Sequence, residues 1–292
     1  MGNLLRTITQ DGSLVCTVLD GTEIARRSEQ IHQTSAVVTA ALGRLLIAAS
    51  MIGAGMKNET DNVTLRLAGN GPAGTLIAVS DSKGCARGYV QNSIVEIPLN
   101  CHGKLDVSGA VGKEGTLTVL RDMGYETPVT GTVPITSGEI AEDITYYYAN
   151  SEQIPTVCAL GVLVDTDLSV KAAGGYLIQL LPGAGEDIIS RLEHNLKGIP
   201  PVSSMVDEGL TPLKITERLL AGFSFDTLDE QQAIYRCDCS KERVERALIS
   251  LGREELKKLM EEQETTEVCC HFCNNKYVFS RKDLERLLQP KK

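Results

Sequence analysis

The stretch Gly69-Asn-Gly-Pro-Ala-Gly-Thr-Leu-Ile-Ala-Val-Ser80 decides the fold class. Its first six residues match GxGxxG, the pattern of a dinucleotide-binding turn. Such a turn must open a helix whose N-terminus meets the pyrophosphate. Here Thr75–Ser80 follows instead, a β-branched strand pattern, so the glycines read as a hairpin turn. A doubly wound nucleotide fold is thereby set aside.

Working outward, Val63–Leu67 leads into this turn and Thr75–Val79 leaves it. Ala86–Val90 and Ile94–Ile97 follow at short spacing, which is the rhythm of an antiparallel meander. Leu14–Leu19, Thr116–Leu120, Val129–Ile135, Val157–Val164 and Leu168–Leu181 read as further strands, the last interrupted by Gly174-Gly175. Two stretches are helical. One is 35–56, and the other runs from a capping signal at Ser137 to Ala149, with Ile140, Ile144 and Tyr148 at four-residue spacing. The class is α+β, with residues 1–181 as a body made of one sheet with helices packed on it.

Residues 35–56 are apolar enough to suggest a membrane span, but Arg44 sits in the middle. A central Arg costs about 2.5–3.5 kcal/mol on insertion scales, so the segment reads as a buried Ala-rich helix and no membrane partner is expected. The N-terminus lacks the basic and apolar regions of a secretory signal. With nine cysteines and no such signal, a reducing, cytoplasmic setting is expected rather than a disulfide scaffold.

Charge is uneven. From residue 231 onward there are 13 Lys/Arg against 11 Asp/Glu, leaving 16 against 27 before it. The acidic body does not suit sequence-independent nucleic-acid binding, which rests on phosphate neutralisation. No GxSxG, GxxxxGK[ST] or HExxH occurs. His32, His102 and His194 lack patterned acidic partners, so no enzyme is expected.

Residues 182–230 are short amphipathic pieces broken by Pro182-Gly183, Gly198, Pro200-Pro201, Gly209 and Pro212, with helices expected at Glu186–Leu196 and near Leu213–Leu220. The segment reads either as a linker across the body or as one that folds only when held down. The last part, 231–292, carries two charged helices, Ser240–Leu251 and Arg253–Gln263, and is too small for a substantial core. A metal is the obvious staple.

That metal has an evident site. Cys237-Asp-Cys239 and Cys270-His-Phe-Cys273 supply four thiolates in two close pairs, enough to close a tetrahedral Zn²⁺ shell with no open position. Cys16, Cys85, Cys101 and Cys158 are scattered and read as small buried or half-buried residues. Cys269 precedes Cys270, and Cys269-x-x-x-Cys273 is also a permissible ligand spacing, so Cys269 is an alternative third ligand. The one-residue spacer in Cys237-x-Cys239 is unusual for a permanent knuckle. A disulfide closed over so tight a ring stores strain and is labile. Metal binding contributes about 10–16 kcal/mol to folding in small zinc peptides, so its loss would unfold the tail.

At these cysteines the chain resembles the redox-regulated heat-shock holdase family, the thirty-three-kilodalton bacterial chaperonins. That family's pattern is C-x-C, a spacer near thirty residues, then C-x-x-C. The similarity continues in Gly69–Gly74, Arg87-Gly-Tyr-Val90, Val111-Gly-Lys-Glu-Gly115, Gly131–Gly138 and Gly174–Gly183, and so covers essentially the whole chain. The resemblance implies an ATP-independent chaperone, inactive when reduced and holding one Zn²⁺ per chain. It implies Cys237–Cys239 and Cys270–Cys273 disulfides under peroxide or hypochlorite stress, and unfolding of the tail and the 182–230 linker. It also implies binding of unfolding client proteins, a homodimer when oxidised, and transfer of clients to an ATP-dependent foldase. Two other readings remain at this stage: a thiol–disulfide oxidoreductase using Cys270-x-x-Cys273, and a zinc-ribbon adaptor that binds its partner while reduced.

Overall fold

The computed structural model describes residues 2–288. The chain divides into two compact units after Arg236. In chain order the larger unit contains β1 (Gly2–Thr9), β2 (Leu14–Asp20), α1 (Thr22–His32), α2 (Ala36–Gly53), β3 (Asn62–Gly69), β4 (Thr75–Asp81) and β5 (Ala86–Val90). It continues with α3 (Val107–Val111), β6 (Gly115–Asp122), β7 (Val129–Pro134) and α4 (Ala141–Tyr147), which runs on into a π turn at Tyr148–Glu152. Then come β8 (Thr156–Val164), β9 (Val170–Leu180), α5 (Glu186–Leu196), α6 (Val202–Asp207), α7 (Pro212–Leu219) and β10 (Phe225–Ala233). The smaller unit contains α8 (Lys241–Ser250), α9 (Arg253–Glu262), β11 (Thr265–Cys269), β12 (Lys276–Ser280) and α10 (Arg281–Leu288). The boundary expected at 230/231 falls inside β10.

The α+β class holds, but the body has two five-stranded antiparallel sheets where the sequence favours one. Their orders are β10-β1-β2-β9-β8 and β5-β4-β3-β6-β7. The reason is α2. Every residue of this helix except Ala36 and Arg44 is buried. A helix apolar on all sides needs cover on all sides, which a single sheet cannot give. Instead α2 packs on β3, β4 and β5 of one sheet and on β2, β8 and β9 of the other. Its small residues permit close approach: a Cβ on Gly43 would lie 3.0 Å from Val162. Arg44 reaches the edge of the packing, where its guanidinium pairs with Glu139 at 2.6 Å.

The GxGxxG stretch is the β3–β4 hairpin, as its strand-like sequel requires. The Gly71 N–H donates to the Val111 carbonyl at 2.9 Å. A Cβ on Gly69 would lie 2.0 Å from that same oxygen, so the glycines let the hairpin abut α3. Gly74 takes the left-handed conformation (φ +68°), which favours glycine.

Two local expectations are corrected. Ile94–Ile97 is not a strand, because the Val95 N–H donates to the Ser35 hydroxyl at 3.0 Å and the same hydroxyl donates to the Val95 carbonyl at 2.9 Å. The side chain replaces a neighbouring strand. The helix expected from Ser137 starts at Ala141, because residues 136–140 wrap around buried Asp143. Its carboxylate accepts from the N–H groups of Thr136, Ser137 and Ile140 at 2.8–3.0 Å.

Helices α5, α6 and α7 lie on the face of the first sheet that α2 does not occupy. There Leu14, Cys16, Val18, Tyr176 and Ile178 form a second apolar cluster with Leu192, Val202, Met205, Ile215 and Leu219. Gly174 and Gly175 point to opposite faces, which explains the doublet. A Cβ on Gly174 would lie 2.9 Å from Val206 of α6, and one on Gly175 would lie 2.8 Å from Ile47 of α2. The segment expected as a helical linker, 182–230, is not helical throughout: its last residues belong to β10, which pairs with β1.

Candidate metal centre

Among the described residues, the smaller unit buries only Leu248, Leu256, Phe279 and Leu284 of its hydrophobic side chains, with half-buried ones such as Val244, Leu259 and Val268 packed against them. Cys237 and Cys239 stand on the extended segment before α8, which begins where the Ser240 hydroxyl accepts from the Arg243 N–H at 3.3 Å. Cys270 and Cys273 stand on the turn joining β11 to β12. That turn is closed by the Cys270 N–H donating to the Asn275 carbonyl at 2.9 Å and the Asn274 N–H donating to the Cys270 carbonyl at 2.8 Å. Asn274 takes the left-handed conformation (φ +57°), which Asn tolerates better than most residues.

The structure brings Cys237, Cys239, Cys270 and Cys273 together, with their sulfurs all within 4.8 Å of one another. Across the two pairs, Cys237 Sγ lies 3.7 Å from Cys270 Sγ, and Cys239 Sγ lies 3.3 Å from Cys273 Sγ. A tetrahedron with metal–sulfur bonds of about 2.3 Å has edges of about 3.8 Å, so the group has the dimensions of a four-sulfur site. The donors are soft, and no carboxylate joins them among the described residues. That set suits Zn²⁺ and not Mg²⁺ or Ca²⁺. Cys269 lies outside the group and is exposed, opposite Lys276 in the β11–β12 register.

Electrostatics point the same way. Burial and the neighbouring sulfurs push the Cys237 thiol up to about 11, and they raise Cys273 as well. Burial also works against a thiolate at Cys239, yet hydrogen bonds from Tyr277 and the other cysteines bring it down to about 7. Four thiolates this close repel one another unless a cation lies among them. Tyr277, whose hydroxyl donates to Cys239 Sγ at 3.0 Å, is the partner that the sequence reading misses. It lies on β12, beyond the C-x-x-C turn, and no spacing rule marks it.

The scattered cysteines behave differently. Burial pushes the thiols of Cys16 and Cys158 up to about 12, leaving them inert. Cys85 is buried, whereas Cys101 is exposed on a turn, against the expectation of burial. His32 is a satisfied histidine, with Nε2 at 2.9 Å from the Gly88 carbonyl.

Fold and site together define a protein with an α+β body followed by a small unit in which four cysteine sulfurs converge. The family model described as Hsp33 protein matches residues 2–280, and the chain belongs to the Hsp33 family. It is 45% identical to the 33 kDa chaperonin of Geobacillus sp. (strain WCH70), over 98% of this chain and 97% of that protein. It is 44% identical to the 33 kDa chaperonin of Enterococcus faecalis, over 97% and 95% respectively. The crystal structure of the 33 kDa chaperonin (heat shock protein 33 homolog) from Thermotoga maritima superposes with a TM-score of 0.89 at 37% identity, covering 98% of this chain and 97% of that one.

Proposed function

We propose that this protein is a redox-regulated, ATP-independent holdase, with Cys237, Cys239, Cys270 and Cys273 as the ligands of one Zn²⁺ in the reduced state. The observation that carries the reading is the convergence of these four sulfurs in a unit whose own core is only a few side chains. Zn²⁺, when bound, would hold the sulfurs as thiolates and supply the cross-link this unit needs to stay folded.

One thiolate of each close pair can attack a peroxide, breaking its O–O bond. The sulfur takes an oxygen to become a sulfenic acid, and hydroxide leaves. The second thiolate then displaces a second hydroxide, forming the disulfide, and the peroxide has taken up two electrons. The disulfides of this reading are Cys237–Cys239 and Cys270–Cys273. Paired sulfurs no longer donate as thiolates, so the smaller unit loses its staple.

The linker 182–230 is the segment that would move, uncovering the sheet face of Leu14, Cys16, Val18, Tyr176 and Ile178. Five apolar or half-apolar side chains on a rigid sheet suit the capture of unfolding proteins. The protein works in this reading by binding and not by turnover, in the cytoplasm. The oxidised form is a homodimer, and clients pass from it to an ATP-dependent foldase.

The test is suppression of light scattering from a heat-unfolding client. Reduced, zinc-loaded protein is expected to be inert, and peroxide-treated, zinc-released protein is expected to keep the client soluble, with reversal by reductant plus zinc. Equal inertness of both forms would make the centre a permanent staple and sink the switch.

A further inference from the structure

The first sheet ends on β8, and the outer edge of that strand has no neighbouring strand among the described residues. The other three edges of the two five-stranded sheets are protected in recognisable ways. β10 carries Asp226, Asp229 and Glu230. The edge at β5 is covered at Ala86 by main chain, where its N–H donates to the Ile234 carbonyl at 3.0 Å and its carbonyl accepts from the Arg236 N–H at 2.9 Å, and at Gly88 by the Tyr235 hydroxyl, which donates to the Gly88 carbonyl at 2.9 Å. β7 contains Gly131 and ends at Pro134. Charge, coverage and proline are the usual protections against edge-to-edge pairing. β8, Thr-Val-Cys-Ala-Leu-Gly-Val-Leu-Val, has neither charge nor proline in its own sequence.

The direction of its free groups follows from the register. The Leu180 N–H donates to the Pro155 carbonyl at 2.9 Å, so in this antiparallel pair Val157, Ala159 and Gly161 exchange bonds with β9. The N–H and C=O groups of Cys158, Leu160 and Val162 therefore face away from the sheet. No described residue takes them. A trough of about 830 Å³ follows this edge along Ala159–Val164. One wall is the start of α2 as far as Arg44 with Leu99, Lys104 and Leu105, and the other is the start of α6 at Pro201–Ser204.

We propose that the β8 edge is the place where an extended segment of a non-native client adds as a sixth strand. The partner is identified by its chemistry. A row of outward N–H and C=O groups recognises the main chain of any extended polypeptide, whatever its sequence, and the mixed walls, apolar at Ala36, Ala40, Leu99, Leu105 and Val202, accept alternate side chains. A natively folded protein has few free main-chain groups to offer, so the edge selects unfolded chains. The walls stand on both sides of the strand and leave a slot for a single chain. A second copy's β8 lies in the same kind of slot, so a β8–β8 contact would bring four walls together. This proposal rests on the holdase reading and adds to it a second binding element. Because α6 forms one wall, release of the linker widens the slot.

The experiment uses oxidised, full-length protein and two fluorescent ten-residue peptides of alternating Val and Thr. They are identical except that one is N-methylated at every second amide, which removes the hydrogen bonds of one edge and keeps the side chains. The unmethylated peptide is expected to bind and to compete with a heat-unfolded client, and the methylated one to bind at least tenfold more weakly. Leu163→Lys, at a half-buried position outside both apolar clusters of the body, is expected to weaken peptide binding at least fivefold while zinc release on oxidation is unchanged. Equal binding of the two peptides would overturn the proposal. So would a photo-cross-linker at position 163 that joins only a second copy of the chain. In either case wild-type protein would still hold clients, whereas failure of the holdase reading would show as wild-type protein holding none and would remove both.

Discussion

The Tyr277 hydroxyl donates to Cys239 Sγ at 3.0 Å, tying β12 to the sulfur pair that precedes α8. A hydrogen bond to a thiolate lowers its charge density and its readiness to attack an oxidant. It also fixes the orientation of the ligand. Contacts of this kind around a metal centre are worth about 10–100-fold in affinity. Tyr277→Phe removes the hydroxyl and keeps the ring. The expected result is weaker zinc binding, by about tenfold, and faster zinc release on peroxide treatment, read with a chromophoric chelator. Identical release rates would mean that the hydroxyl is only a surface contact.

Cys269 and Cys270 are adjacent, and only Cys270 belongs to the sulfur group. Ser substitutions separate them. Cys269→Ser should leave one zinc per chain and an unchanged response to peroxide. Cys270→Ser should lower zinc content by well over half and leave the smaller unit unfolded, as seen by loss of amide protection. Zinc analysis and hydrogen exchange on both variants check this. Retained zinc in Cys270→Ser with loss in Cys269→Ser would reassign the third ligand.

How much of this was legible in sequence depended on how local the signal was. The four sulfurs are marked by spacing alone, because a knuckle places its ligands within a few residues. The β3–β4 hairpin was legible because Thr75–Ser80 is β-branched directly after the glycines. β10 was not, since Asp226, Asp229, Glu230, Gln231 and Gln232 give it no apolar alternation. It is a strand because β1 pairs with it over its whole length. The second sheet was hidden for a related reason: α2 shows in sequence that it is buried, but not by how many layers. Tyr277 was invisible because its role depends on β12 folding back on Cys239.

Met205 is fully buried between α6 and the first sheet. Truncating a buried Met to Ala costs about 2–5 kcal/mol, here in the contact that holds the linker down. The body core around α2 is a separate cluster and is left whole. Met205→Ala should therefore loosen 182–230 without disturbing the cysteines. Reduced, zinc-loaded variant is expected to be cleaved faster by trypsin at Arg191, Lys197 or Lys214 and to show measurable client holding before any oxidant is added. Faster cleavage with no holding would mean that the covered sheet face is not a client surface.

Glu152 closes the π turn after α4 and accepts from Arg121 on β6 at 2.7 Å and from the Tyr147 hydroxyl. Burial works against its charge, but the hydrogen bonds from Arg121 and Tyr147 and the Arg121 charge prevail. The carboxyl is held below the ordinary Glu value. A carboxyl whose folded pKa is depressed stabilises the fold fully above its unfolded value, about 4.3. That contribution is lost as pH falls through the lower folded value. Glu152→Gln removes the charge at every pH and leaves Arg121, which is half-buried, without its partner. At pH 7 the variant is expected to be less stable by about 1.5–3 kcal/mol, the range for hydrogen bonds to charged groups. The gap should stay level down to about pH 5 and narrow below about pH 4, as wild-type Glu152 takes up its proton. Urea titrations of both proteins from pH 7 to 3 measure it. A gap that is the same at pH 3 as at pH 7 would show that the carboxylate's charge contributes nothing to the junction of β6 with the π turn.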